Sequence, residues 1–417
     1  MSKHLRYSLA VAFAAFVLLG FPDGLLSVAW PSASRSVNVS IGWLGYLMIP
    51  FSIGFFFASS GVGSLVVRFG YARSFSLGVA GMMAGLSGFA MVPVFQLGFP
   101  ALLAANLLIG FGAGILDSGL NAYAAHYFRP KHTNWLHASY GLGASAGPLV
   151  MTAVLTLTGG WHWGYAVGLI PGALVLLGFL LAGAAIRRTA EEGDSRHDAE
   201  LPHSTEHPAG VVDGTAERTP SPAAEGYLAA PVVLSVVLFF LYTGSEVLIG
   251  QWVYSLLTLH LGVAEVAAGV IVGGYWIWFT IGRVGFGILS ERVSVGAILR
   301  QAMIAMVIGS GLLLLVPYAG PLLLPAAAIA VWGLGVACAP VFPLLIAETP
   351  ARVGRHRSLR TVGFQVAAAN LGAVGFNGLT GALVDTISLG VVPAVIAASS
   401  LATIILHAIV VRSAAVQ

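Results

Sequence analysis

The chain is short of charge: only 8% of its 417 residues are charged, against about 25% in soluble domains. That scarcity excludes a soluble globular protein. With 58% apolar residues it also excludes disorder, which needs a charge-rich chain poor in apolar side chains. A net charge of +3 without a basic patch offers nothing to a phosphate backbone, so nucleic-acid binding is excluded too. The single cysteine, Cys338, excludes a disulfide framework and any cysteine-built metal cluster. What the chain does have is apolar length, in long runs threaded with 53 glycines. The class that remains is an all-α integral membrane protein, with the lipid bilayer as its partner.

A membrane-crossing helix needs about 20 mostly apolar residues. Twelve such runs occur, at 7–30, 41–66, 74–94, 100–127, 135–157, 163–186, 229–256, 265–290, 297–317, 321–346, 359–383 and 389–411. A polar stretch separates six from six, which divides the chain into a bundle at 1–187, a flexible cytoplasmic linker at 188–228 and a bundle at 229–417. Loop charge supports this division. With the N-terminus in the cytoplasm, 17 of the 19 Lys and Arg residues fall on the inner side; Arg35 lies outside and Arg283 within a span. Both termini are therefore expected in the cytoplasm. The linker holds nine of the sixteen acids with Pro202, Pro208, Pro220 and Pro222, so its histidines, His197, His203 and His207, read as solvated rather than metal-binding. Lys3 and Arg6 precede an apolar run too long for a signal peptide, which reads as a retained first helix. Asn38-Val39-Ser40 matches a glycosylation sequon; in a chain of bacterial composition it reads as a chance match.

The halves repeat. A shift of 223 or 224 residues lays Gly110 and Gly112 on Gly333 and Gly335, Gly63 and Arg68 on Gly287 and Arg292, Arg129 on Arg352, and Asp23 on Glu246. Gly143-Ala144 matches Gly372-Ala373 at a shift of 229. Paired six-helix halves are the sequence mark of carriers that rock about a midplane site.

Motifs narrow this further. The loop after the second span carries Gly63, Arg68, Gly70 and Arg73, with Val67 where an acid would complete the pattern; the second half repeats it with Glu291 and Arg292. This resembles the cytoplasmic loop motif of the major facilitator superfamily, over the whole chain. The resemblance implies two pseudo-symmetric six-helix bundles and a loop that latches the outward-open state. Other stretches resemble the fucose/glucose/galactose:proton symporters and their animal glucose-transporter-like relatives. These are Gly20-Phe21-Pro22-Asp23, Asp117 followed by Asn121, His137-Ala138-Ser139-Tyr140 running into Gly143-Ala144, and Tyr242 to Glu246 followed by Gly250-Gln251-Trp252. His137 and Tyr140 stand where the fucose symporters have Gln and Asn. By that resemblance the acid of the first span binds sugar and the acid of the fourth carries the proton.

The residues themselves point the same way. Ionisable groups in hydrocarbon cost roughly 2.5–3.5 kcal/mol on insertion scales, so Asp23, Asp117, Glu246 and Arg283 are functional candidates. Either Asp23 or Asp117 is expected to couple protons, the other to hold solute, unless the pair merely caps a helix interruption that Pro22 and its flanking glycines would produce. Asp117 and Asn121 are four residues apart and share a helix face. His137 is a second proton relay, a donor to a hydroxylated ligand, or an interfacial histidine. Tyr140, Glu246, Gln251 and Trp252 mix hydroxyl, acid, amide and aromatic, as a sugar site requires. Helical period puts Tyr275 and Trp278 of the eighth span on one face and Trp276 elsewhere. Gln365, Asn370 and Asn377 of the eleventh span are candidates for lining the cavity and binding solute, since amides are disfavoured facing lipid and at least one should face inward. Arg283 reads as neutralising a carboxylate or a carbonyl cluster near the inner end of the eighth span, a structural role favoured over substrate binding, and Pro340 and Pro343 suggest a bend in the tenth span.

The leading expectation is a proton-coupled symporter for a sugar or other small hydroxylated solute in a bacterial cytoplasmic membrane, working as a monomer. Sodium is the alternative coupling ion, and no cofactor or metal is expected. An exporter of amphipathic compounds competes. Enzymes need a dense reactive constellation, and the intramembrane histidines are too few and scattered for one.

Overall fold

The computed structural model describes residues 3–128, 130–200 and 230–415. In a bilayer every backbone polar group must be satisfied within the segment, so each apolar run becomes a helix. The first half comprises α1 (Lys3–Ser36), α2 (Leu44–Phe69), α3 (Tyr71–Met91), α4 (Phe99–Tyr127), α5 (Pro130–Thr158) and α6 (His162–Glu200). The second comprises α7 (Ala230–Ser255), α8 (Glu265–Leu289), α9 (Val295–Leu315), α10 (Leu323–Cys338), α11 (Val341–Val353), α12 (Arg355–Thr386) and α13 (Val392–Ala415). Twelve segments are long and apolar enough to cross a membrane, α10 and α11 together forming one of them. That span is interrupted at Ala339–Pro340, where proline can neither donate to the helix nor clear the preceding turn.

Two readings of local structure are corrected. Helix α1 runs unbroken through Pro22 and Pro31. Its glycines let it pack closely on α5: a side chain at Gly20 would strike the Tyr140 carbonyl, and one at Gly24 the Ala144 carbonyl. Neighbouring helices of this kind are what allow proline inside a spanning helix. Helix α6 continues to Glu200, through residues 188–200 of the segment read as linker. That stretch is rich in helix formers, and Arg187 lies 3.6 Å from Glu191 one turn on. The rest of the linker, with His203 and His207, lies outside the described residues.

The sequence repeat is also a repeat in space. Gly143 of α5 packs on the Val17 carbonyl of α1, and Gly372 of α12 packs on the Phe240 carbonyl of α7. Val17 and Phe240 are themselves 223 residues apart. The small residues let the backbones approach, the usual device for joining helices without a hydrophobic driving force.

The halves meet along two seams. Helices α5 and α8 run side by side, with Gly141 on Thr280, Leu149 on Gly273 and Thr152 on Gly269. Helix α2 and the turn before it meet α12 at the end away from the linker, where Gly42 faces Gly381 and Gly45 faces Gly378. Toward the linker end Gly61 and Gly63 of α2 and Gly363 of α12 have open space beside them, and Val67 is 90% exposed. The interface is thus closed at one end and parted along α2 and α12 at the other.

Candidate functional site

A cavity of about 290 Å³ lies between the halves. Asp23, Asp117 and Tyr140 reach it from the first half, and Glu246, Gln251 and Asn370 from the second. Six of the residues singled out in the sequence therefore line one space, although they come from five helices spread over the chain.

Each carboxyl is held differently. Asp23 Oδ2 accepts the Tyr140 hydroxyl at 2.6 Å, a bond made possible by the glycine-mediated approach of α1 and α5. Gln251 Nε2 donates to the backbone carbonyl of Asp23 at 3.4 Å, joining the halves across the cavity. Asp117 Oδ1 accepts from Asn121 Nδ2 at 3.2 Å, so Asn121 supports the acid from one turn away without lining the cavity itself. Glu246 Oε1 lies 3.9 Å from Arg283 Nη2, while its Oε2 is buried without a partner among the described residues. Arg283 is further fixed over the Phe279 ring, 4.3 Å from its centroid. Among the described residues, no lysine or arginine lines the cavity.

Several sequence candidates lie elsewhere. The His137 ring packs edge-on to Phe16 at 5.6 Å, outside the cavity lining. Trp252 is buried in the second half, its indole N–H donating to Asn377 Oδ1 at 2.8 Å. Gln365 is fully buried, bonded to Ser235 and Thr349, and belongs to the packing between α7, α11 and α12. Tyr275 turns its hydroxyl to the Glu246 backbone carbonyl at 3.2 Å. Trp278 is 40% exposed, and Trp276 is the tryptophan of α8 at the cavity. The periodicity of α8 was legible, but its rotation is set by the seam with α5, which occupies the face carrying Gly269, Gly273 and Thr280. Gly63, Arg68, Gly70, Arg73, Glu291 and Arg292 are exposed at the linker end, and none of the three bases or Glu291 forms an ion pair among the described residues. Arg68 lies over the Phe69 ring at 5.2 Å.

Sequence reasoning missed Tyr165, Thr243 and Asn106, all of which line the cavity, and set Trp276, which also lines it, apart from Tyr275 and Trp278. Asn106 had a usable signal. It lies three turns before Asp117, and Ile109 and Ala113 between them also line the cavity, so one stripe of α4 faces it. Asn106 Nδ2 also donates to the Leu47 carbonyl at 2.7 Å, tying α4 to α2. The cavity thus offers hydrogen-bond acceptors (Glu246, Gln251) and donors (Trp276, Tyr165) around a small space.

Comparison with known proteins places this geometry. The family model described as Major Facilitator Superfamily matches residues 12–374. Bypass of stop codon protein 6 of Saccharomyces cerevisiae is 25% identical over 284 residues, covering 66% of this chain and 56% of the yeast protein. Sodium-dependent glucose transporter 1A of Mus musculus is 22% identical over 306 residues, covering 65% of this chain and 66% of the mouse protein. The chain thus spans somewhat more than half to about two thirds of these relatives. A crystal structure of a D-xylose-proton symporter superposes with a TM-score of 0.73 at 15% identity, covering 97% of both chains. At that identity the likeness is one of fold.

Proposed function

The chain belongs to the Major Facilitator Superfamily and is a membrane transporter rather than an enzyme; from that premise we propose that it carries a small hydroxylated solute, of sugar or polyol type, by proton-coupled symport. The observation that carries this reading is the chemistry of the cavity. Among the described residues, buried polar atoms of both halves stand there without protein partners, three carboxyls line it, and no lysine or arginine does. Unsatisfied buried polar atoms are costly, so a site holding several is built for a ligand that satisfies them. A hydroxyl both donates and accepts, and can answer Gln251 Oε1 and Trp276 Nε1 alike. An anionic solute would want a free cation, and Arg283 of α8 stands 3.9 Å from the Glu246 carboxylate.

In this reading Asp117 is the proton carrier and Asp23, oriented by Tyr140, binds the solute. The resemblance to the fucose/glucose/galactose:proton symporters supports that division. With the linker and both termini in the cytoplasm of a bacterial cell, the parted end faces inward and the closed end faces the outside. The cavity, near the small end of the roughly 300–1,000 Å³ typical of ligand pockets, suits a monosaccharide better than a bulky amphipathic drug, so export of such compounds is not favoured.

Proteoliposomes test the proposal with a panel of radiolabelled hexoses, pentoses and polyols. Accumulation driven by an inward proton gradient is expected for at least one of them. Asp117→Asn is expected to abolish accumulation while sparing solute counterflow. Gradient-driven accumulation left intact in that variant would overturn the assignment of the proton. Accumulation driven by a sodium gradient alone, as the name of the mouse relative would lead one to test, would replace the coupling ion.

A further inference from the structure

Among the five tryptophans that are not exposed, of nine in the chain, the indole nitrogens divide into two groups. Trp30 donates to the Ile41 carbonyl at 2.7 Å, Trp161 to Ser36 Oγ at 3.2 Å, Trp252 to Asn377 Oδ1 at 2.8 Å and Trp332 to the Ile271 carbonyl at 3.0 Å. Trp276 is 4% exposed, and its N–H has no partner among the described residues. It is also the tryptophan that lines the cavity. The indole N–H only donates, so it cannot be answered by another donor.

The ring is held in place. It packs edge-on to Tyr275 at 5.1 Å and to Phe279 at 5.6 Å. On its other side α7 presents Gly250, where a methyl group would lie 2.7 Å from the far edge of the indole. Glycine at 250 therefore leaves room for the ring beside α7. The opposite half offers a counterpart. Tyr165 of α6 is 1% exposed, its ring stacked on Phe89 at 4.4 Å, and its hydroxyl reaches the same cavity without a partner among the described residues.

We propose that Trp276 is a specificity-determining residue of the transport site, its indole N–H donating to an acceptor oxygen of the solute from the second half while the Tyr165 hydroxyl engages the solute from the first. This rests on the reading of the cavity as a site for hydroxylated solutes. It adds that recognition is shared between the halves through two rigid aromatic groups, so a solute lacking the oxygen opposite Trp276 leaves a buried donor unpaired and is rejected.

The test is equilibrium binding of the radiolabelled sugar and polyol panel to the purified full-length protein in detergent. For the sugar that binds best, the monodeoxy analogues are measured alongside it. Wild-type protein is expected to bind one monodeoxy analogue about tenfold more weakly than the parent. Trp276→Phe keeps a ring at the site and removes the N–H; it is expected to bind the parent about tenfold more weakly and to lose the discrimination against that analogue. Gly250→Ala, which pushes on the indole without altering a cavity-lining residue, is expected to show the same loss and serves if the tryptophan variant fails to fold. Both variants binding the parent with unchanged affinity and discrimination would overturn the proposal. Absence of binding by every sugar and polyol in the wild-type protein would overturn the functional reading on which it rests.

Discussion

Asp385 of α12 reaches Ser40 of the opposite half: its Oδ2 accepts the Ser40 hydroxyl at 2.6 Å, and its Oδ1 accepts the Gly42 amide at 3.0 Å. Gly42 sits in a short 3₁₀ turn, Ile41–Trp43, that leads into α2. A carboxylate at a helix N-terminus satisfies amides that have no partner in the helix and meets the positive end of its dipole. The two bonds lie at the closed end of the α2–α12 seam and act there as a clasp. Asp385→Ala should therefore favour opening at that end. Hydrogen bonds to charged groups are worth about 1.5–3 kcal/mol, which is at least about tenfold in the opening equilibrium. A cysteine placed at Leu26, on the cavity side of α1, in a Cys338→Ser background should react about tenfold faster with a maleimide applied from the closed side. Unchanged reactivity would mean the clasp is incidental.

The same seam depends on glycine. A side chain at Gly45 would strike the backbone of Gly378, and one at Gly381 the carbonyl of Gly42. Gly381→Val is expected to prevent closure while leaving each half folded, because the overlap lies between the halves. Overpacking of this kind costs about 1–3 kcal/mol. Transport should fall severely, and the Leu26 cysteine should become reactive from the closed side even with Asp385 in place. A variant that transports normally would show that the seam can relax around the added atoms.

Tyr140 positions Asp23 through the 2.6 Å bond across the α1–α5 contact. Tyr140→Phe removes that bond and leaves the ring. The expected result is a rise of about tenfold in the KM for counterflow, the value of one charge-assisted hydrogen bond, with an unchanged melting temperature. A fall in stability with no change in KM would make the bond structural rather than functional.

Gln365 offers a contrast. It is fully buried among Ser235 and Thr349, away from the cavity. Gln365→Leu should leave solute affinity unaltered but strand the Ser235 hydroxyl, at a cost of about 1–3 kcal/mol, while Thr349 keeps its bond to the Leu345 carbonyl. Thermal unfolding in detergent checks the second half of this prediction and solute binding the first. Weakened binding at unchanged stability would return Gln365 to the transport site.

The sequence by itself determined the class, the number of spans and the presence of two related halves. The reason is the bilayer, which admits about 20 apolar residues per crossing and requires each to satisfy its own backbone. It also marked Asp23, Asp117 and Glu246, because a charge is too costly in hydrocarbon to stand there idle. The tertiary structure alone decided which face of each helix met the cavity. Trp276 and Trp278 differ by two residues, about 200° around a helix, and their sorting rests on where α5 docks against α8. Gln365 and Asn370 are both amides of α12, yet one is locked into packing and the other lines the cavity. Asp385 meets a hydroxyl 345 positions earlier in the chain. Such pairings depend on how far two helix backbones approach, which a row of glycines permits and only the packed bundle places.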